Sequence, residues 1–346
     1  MRFDLTDDQR AARDAINDLC RARWGSAAAR RYGAGEDEGD ALWGELAAAG
    51  WTGIAVAEEY GGQGLGTVEL TLVCEELGRA LAPAMFLGNA AAALLVETAG
   101  DDEQRRRWLP GFANGDRRGA LGTLQSDGSA LVYDVEGAAV LVLLTDGRAM
   151  LVAAEECTLE PVVGVDPTRR LTRVRAGDGD ELRGDVAAAV DRVEVALSAE
   201  LVGVANRSLD LAVDHARTRE QFGRPIGAFQ AVSHRCADML IDVESARSAV
   251  LCAAWTADHA RADLPFAASV AKVAAAQGAW RVTTSSLQVH GGIGFTWEHD
   301  CHLLLRRALA SGHLLGSAES HLDRVAAWRG LGRGDGSALV QHTSAP

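Results

Sequence analysis

Two stretches hold residue types that could grip an anion beside a flat ring. The first runs from Arg217 to Gln230 and carries Arg219, Gln221, Phe222 and Gln230 around the turn Gly223-Arg224-Pro225. A helix end, a tight turn and a new helix start there would group a guanidinium, an aromatic ring and amides as such a ligand requires. A surface helix corner with routine charges accounts equally for the same residues. The second is Gln288-Val289-His290-Gly291-Gly292-Ile293-Gly294-Phe295-Thr296. Paired glycines past a helix end let backbone amides approach a ligand closely, and they also serve as a plain helix stop. The spacing differs from the dinucleotide fingerprint and no strand precedes it, which argues against a Rossmann-type site.

These residues sit in a chain of 346 residues with a formal net charge of -14. An acidic balance argues against a nucleic-acid partner, whose phosphates are bound by an excess of Lys and Arg. A hydrophobic fraction of 48% against 24% charged is globular composition and excludes a disordered or fibrous chain. No run approaches the length of a membrane-spanning helix, and the acidic N-terminus lacks the apolar core of a signal peptide, so a cytoplasmic protein is expected. Cys20, Cys74, Cys157, Cys236, Cys252 and Cys301 are scattered, with neither a CxxC pair nor metal-ligand spacing. Free thiols and no metal follow as expectations.

Periodicity gives the elements that must position the two stretches. Thr6 and Gln9 form a capping box ahead of a stripe through Ala12, Ile16, Leu19 and Cys20. Further amphipathic stretches follow around Leu42 to Ala49, Val68 to Leu81, Asn89 onward, and Asp101 to Trp108 ahead of Pro110. Between about residues 119 and 186 the pattern changes to short apolar runs separated by Gly/Asp turns, as in a small β domain with room for about eight strands. From residue 187 onward long helices return: about Val190 to Thr218, Phe229 to His259 with Leu240 and Leu251 on its inner side, and Pro265 to Val289, then a last pair. Such helices pack best as an antiparallel bundle. The expected division is a helical N-terminal domain at 1–118, a shortened β domain at 119–186, a helical bundle at 187–331, and a disordered tail at 332–346.

Taken with Gly50 to Gly64, Cys74-Glu75-Glu76-Leu77-Gly78, Trp108-Leu109-Pro110 and Gly164 to Leu171, the two stretches resemble the acyl-CoA dehydrogenase family over nearly the whole chain. The resemblance implies a mainly α fold with a central β-barrel between a helical N-domain and a four-helix bundle, assembled as tetramers. It implies FAD bound between subunits and oxidation of an acyl-CoA thioester to the 2,3-enoyl-CoA. A glutamate takes the α-proton while hydride leaves the β-carbon. By position, Arg219, Gln221, Phe222, Gln230, Gln288, Val289, His290, Gly291 and Gly292 would hold the adenine and pyrophosphate side of a neighbouring subunit's FAD.

Elsewhere the chain departs from the family pattern. The flavin-facing barrel segment, usually Thr-Glu-Pro-x-x-Gly-Ser-Asp, reads Thr123-Leu124-Gln125-Ser126-Asp127-Gly128-Ser129, and no tryptophan lies between Trp108 and Trp255. The usual base position is occupied by Leu315 and the alternative one by Val193. Glu194 is adjacent but rotated about 100° around the helix, and Glu200 lies two turns on near the same face. Either glutamate could substitute as base, or be a solvated or dimer-face charge. Retained adenine-side residues beside an eroded ring side resemble the short, non-catalytic subunit of the heterotetrameric dehydrogenases of actinobacterial steroid side-chain degradation. That resemblance implies a longer acyl-CoA dehydrogenase partner in an α2β2 assembly and a bulky acyl-CoA substrate. A self-sufficient homo-oligomer and a non-redox acyl-CoA-binding scaffold are the alternatives.

Overall fold

The computed structural model describes residues 4–36 and 39–331; the tail expected at 332–346 lies outside the described residues. Six helices come first: α1 (Asp7–Arg23), α2 (Ser26–Gly33), α3 (Asp40–Ala48), α4 (Thr67–Arg79), α5 (Met85–Ala99) and α6 (Asp102–Asn114). The Thr6–Gln9 capping box is present at the start of α1, and Asp101 with Gln104 makes another at α6. Pro110 does not stop α6, which continues through it. Its missing N–H orphans the Arg106 carbonyl, and at this exposed turn water can satisfy that group.

The β region forms one sheet of seven strands rather than the eight its length allows: β1 (Arg118–Leu124), β2 (Ser129–Tyr133), β3 (Ala138–Thr145), β4 (Arg148–Ala153), β5 (Thr158–Val162), β6 (Leu171–Arg175) and β7 (Asp180–Leu182). Its order is β5-β6-β2-β1-β3-β4-β7, with β1 and β3 parallel and the other pairs antiparallel. Helix α5 lies on this sheet at small residues: a Cβ on Gly119 would come within 2.3 Å of the Ala92 methyl.

The second half is helical: α7 (Val186–Thr218), a two-strand hairpin of β8 (Glu220–Gln221) and β9 (Arg224–Pro225), α8 (Gln230–His259), α9 (Leu264–His290), α10 (Cys301–His313) and α11 (Ala318–Trp328). Helix α7 is buried along most of its length and crosses α4 at glycines. A Cβ on Gly203 would meet the Glu75 carbonyl oxygen at 1.8 Å, and one on Gly78 the Glu200 carbonyl oxygen at 2.2 Å, so the backbones touch. Helix α8 departs from the sequence expectation. Its core face is Met239, Val243, Ala246, Val250, Ala253, Ala254 and Ala257. Leu240 instead stands 49% exposed beside Ile241 at 63%, and Leu251 is only half-buried. Among the described residues nothing buries Leu240 or Ile241 on that outer face. The six cysteines are free thiols; Cys20, Cys74 and Cys301 are buried and Cys252 is exposed.

Candidate functional site

Helix α5, strands β1 to β4, helix α7 and the α10–α11 turn enclose a cavity of about 1060 Å³. Its wall is mostly hydrocarbon, including Leu87, Leu121, Leu144, Val190, Leu197 and Leu309. Val193 and Leu315, the two positions at which the resemblance puts a base, both face this space. Leu315 holds a left-handed backbone (φ 57°), unusual for a side chain of this kind. An α-proton brought to either place would meet a methyl group.

Asp191 and Arg324 are ionisable groups of the same wall that sequence reasoning did not single out. They pair with each other at 2.5 Å, and a second nitrogen of Arg324 donates to both carboxylate oxygens of Glu194 at 3.1 and 3.0 Å. Burial pushes the Asp191 carboxyl above the usual carboxylate range. Glu194 is 2% exposed and points behind the wall, so it is neither a solvated nor a cavity-facing charge. Burial raises its pKa to about 7, outweighing the pull of Arg324 in the other direction.

Lys272 and His321 complete this buried group. Lys272 Nζ donates to the carbonyls of Gly312 and Gly316 at 2.7 and 3.2 Å, and burial brings its pKa down to about 8. His321, lowered to about 4 by burial, has Nε2 3.1 Å from the Leu315 carbonyl. These contacts pin the turn that carries Leu315.

Glu200 is placed differently again. Arg169 and Arg307 both donate to its Oε1, and Ser311 Oγ donates to Oε2 at 2.9 Å. Arg307 is fully buried, pairs with Asp166, and donates to Thr168 Oγ1 at 2.7 Å and to the Ala82 carbonyl at 2.8 Å. The clasp joins the chain after α4, the segment before β6, and helices α7 and α10. Glu200 does not line the cavity. Helical geometry correctly put it near the face of Val193, but two turns carry it into the clasp. The Gly164 to Leu171 motif was the signal that could have revealed its partners, since it supplies Asp166, Thr168 and Arg169.

The residues expected on the adenine side lie at the end of the bundle where α7 and α9 finish and α8 begins. Arg219, Gln221, Phe222, Gln230, Gln288, Gly291 and Gly292 are exposed there, Phe222 at 92%. A ring contact between His215 and His290, 4.5 Å between centroids, brings the ends of α7 and α9 together. Val289 and His290 are buried, so of these two only the backbone can meet a ligand. The set fits the pyrophosphate side of a flavin. Arg219 makes no ion pair among the described residues, and a Cβ on Gly291 or Gly292 would project into open space that a close-lying phosphate could use.

The ring side does not fit. Gln125 and Ser129 close a tight hairpin, and the Asp127 carboxylate accepts from the Ser129 N–H and Oγ at 2.9 and 2.7 Å. What remains toward the cavity is Thr123, Leu124 and Gln125.

Comparison with known proteins gives these features a context. Residues 6–116 match the family model described as Acyl-CoA dehydrogenase, N-terminal domain, and residues 187–329 that described as Acyl-CoA dehydrogenase, C-terminal domain. Acyl-CoA dehydrogenase IpdE2 of Mycobacterium tuberculosis is 37% identical over 92% of this chain and 96% of its own. Acyl-CoA dehydrogenase FadE34 of the same organism is 37% identical over 93% of this chain, which spans 48% of that protein. A solved structure described as the steroid ACAD Tcur3481-Tcur3483 has a TM-score of 0.85 at 28% identity, covering 94% of this chain and 98% of that one. The ChsE4-ChsE5 complex from Mycobacterium tuberculosis has a TM-score of 0.84 at 24% identity, covering 96% and 100%, a likeness of fold. Among the described residues no helix is long and apolar enough to cross a membrane.

Proposed function

The chain belongs to the acyl-CoA dehydrogenase family, FAD-dependent oxidoreductases acting on acyl-CoA, and from that premise we propose that it works as the partner subunit of a heterotetramer. In this reading a longer acyl-CoA dehydrogenase subunit contributes the base and the flavin-ring pocket, and this chain completes the adenine side across the interface. The observation that carries the reading is the cavity wall: Val193 and Leu315 occupy the base positions, while Glu194 is spent on Arg324 and Glu200 on the buried guanidinium groups of Arg169 and Arg307. FAD, when bound, supplies the acceptor for the hydride leaving the substrate's β-carbon. Arg219 and Gln221 would offer donors to its phosphates, and Gly291 and Gly292 would leave backbone amides accessible.

Two further observations support the assembly. Leu240 and Ile241 on α8 and Trp280 on α9 are exposed apolar side chains of a kind that a partner subunit covers. The relatives described as a steroid ACAD and as a two-component complex share the fold. The substrate is a bulky, largely apolar acyl-CoA of the steroid type, because 1060 Å³ of mainly hydrocarbon wall is at the large end for small-molecule sites. The division at 1–118, 119–186 and 187–331 goes with this reading.

A self-sufficient dehydrogenase is the second reading, favoured by one observation: Asp191 is a cavity-wall carboxylate whose pKa burial raises. Flavin absorbance across a sizing column decides between them. A colourless chain that becomes yellow only when co-expressed with a longer homologue, at about half a flavin per chain for a two-fold pair, is the expected result. A yellow homotetramer with one flavin per chain overturns it and directs attention to Asp191→Asn.

A further inference from the structure

We propose that His290, His299 and Cys301 form a binding site for a zinc-class metal ion at the corner between α9 and α10. One ligand atom from each of the three residues lies within 4.8 Å of the other two. Cys301 Sγ is 3.3 Å from His290 Nδ1, and the His290 and His299 ring centroids are 4.4 Å apart. Zn–N bonds of about 2.0–2.1 Å and Zn–S bonds of about 2.3 Å require ligand atoms roughly 3.3–3.7 Å apart around a tetrahedron. The widest pair therefore closes by about 1 Å. His299 can make that move, since it is half-buried in the short connection between the helices while the other two are fixed on them.

The donors are of the right kind. Two imidazoles and a thiolate suit zinc, cobalt or cuprous ions, and the absence of a carboxylate from the set disfavours calcium and magnesium. Burial lowers the pKa of both histidines, and for His299 the neighbouring His290 adds to it, so both stand neutral with a lone pair to offer. The free Cys301 thiol is pushed up to about 11 by burial, so without a cation it stays protonated and inert. Binding is then a balanced exchange: the Cys301 thiol releases one proton to solvent and an S–metal bond replaces the S–H bond.

The interior of the corner is not saturated by its own hydrogen bonds. His290 is 6% exposed, and its Nε2 is buried without a hydrogen-bond partner, while its Nδ1 lies 2.8 Å from the Ser286 carbonyl. Facing a carbonyl, Nδ1 carries the ring proton in the metal-free chain, so a metal at Nδ1 gives up the Ser286 hydrogen bond and moves that proton to Nε2. The Leu211 carbonyl already acts on this imidazole without reaching hydrogen-bond geometry at Nε2, and it would be an acceptor for that proton. A metal here would tie the end of α9 to the start of α10 and hold the intervening Gly291–Phe295 segment between them.

Cobalt(II) titration of the full chain tests the site, because a cobalt–thiolate bond gives a near-ultraviolet charge-transfer band that nitrogen or oxygen ligands do not. The expected result is one cobalt per chain, displaced by zinc, with the band absent in Cys301→Ser. Zinc affinity should fall on the order of 10- to 100-fold in His299→Gln and about tenfold per pH unit on acidification, as the thiol must lose its proton. Absence of the band in the wild-type chain overturns the proposal. So does zinc uptake unchanged in both variants, which marks adventitious binding elsewhere. Should Cys301→Ser fail to fold, the half-buried His299→Gln decides by itself.

Discussion

Substituting Glu200→Gln separates an anchoring role from a catalytic one. The change keeps the side chain's size and removes one negative charge from between Arg169 and Arg307. Arg307 retains Asp166, but Arg169, with 1% of its side chain exposed, loses its direct ion pair and keeps a 3.0 Å hydrogen bond to Ser311 Oγ, the face of the Tyr133 ring and the more distant charges of Asp166 and Asp134. Its Nε is already without a partner. Removing one member of a buried ion pair leaves the other charge uncompensated and costs about 3–5 kcal/mol. Against a total stability of roughly 5–15 kcal/mol, that is a large share. Urea unfolding of the variant should show the midpoint moving down with the slope unchanged. Turnover of the assembled, flavin-bearing enzyme, per folded molecule and well below the transition, should stay at the wild-type value. Adding Arg169→Met should recover part of the lost stability, because both charges then leave together. The reasoning is refuted if Glu200→Gln unfolds like the wild type and turnover falls by about 10²–10⁴-fold, the penalty for losing a positioned base.

Other perturbations read other parts of the molecule. Glu194 binds its proton more tightly in the fold than in the unfolded chain, so its contribution to stability is present below the unfolded carboxylate pKa and is lost as pH rises toward about 7. Glu194→Gln should remove that loss, and thermal melts of the two proteins between acid and neutral pH will show whether their difference changes with pH in this direction. Leu315→Glu puts a carboxylate into the cavity but restores no ring pocket. It should therefore leave the lone chain colourless and inactive, and an active lone variant would contradict the division of labour proposed above. Gly203→Ala drives a methyl against the Glu75 carbonyl at 1.8 Å and should destabilise by about 1–3 kcal/mol or more, measured by the same urea midpoints.

The helices were legible because their signals are local. Capping boxes at Thr6 and Asp101 and the stripes of the long bundle helices depend on neighbours three or four residues away. Pro110 misled because its penalty falls on one carbonyl, which water can satisfy at an exposed turn. The apolar residues at the two expected base positions were legible too, since Val193 and Leu315 can be read off one at a time. The charge networks were not. Glu200 meets Arg307 across 107 residues and Glu194 meets Arg324 across 130, and no periodicity reports such a pairing. From sequence alone a glutamate between apolar residues on a helix is equally a surface charge, and only its distant partner shows that it is buried. The outer face of α8 misled for the opposite reason: Leu240 and Leu251 look like core residues, and an apolar residue on a helix does not itself report whether its own chain covers it.

Lys272 has a practical consequence of another kind. It is the one lysine of the chain, fully buried among the carbonyls of the α10–α11 turn. Every side-chain cation on the surface other than histidine is therefore a guanidinium, to which amine-directed reagents are indifferent. With a pKa brought down to about 8, much of the Lys272 amine is already deprotonated in mildly alkaline buffer, chemically ready but sterically sealed. Acylation at this residue can then proceed only as often as the corner opens. Peptide mapping after timed exposure to an acylating label would thus read the opening rate of one chosen place in the fold, with no engineered probe, and would show whether a bound acyl-CoA or a partner subunit slows it.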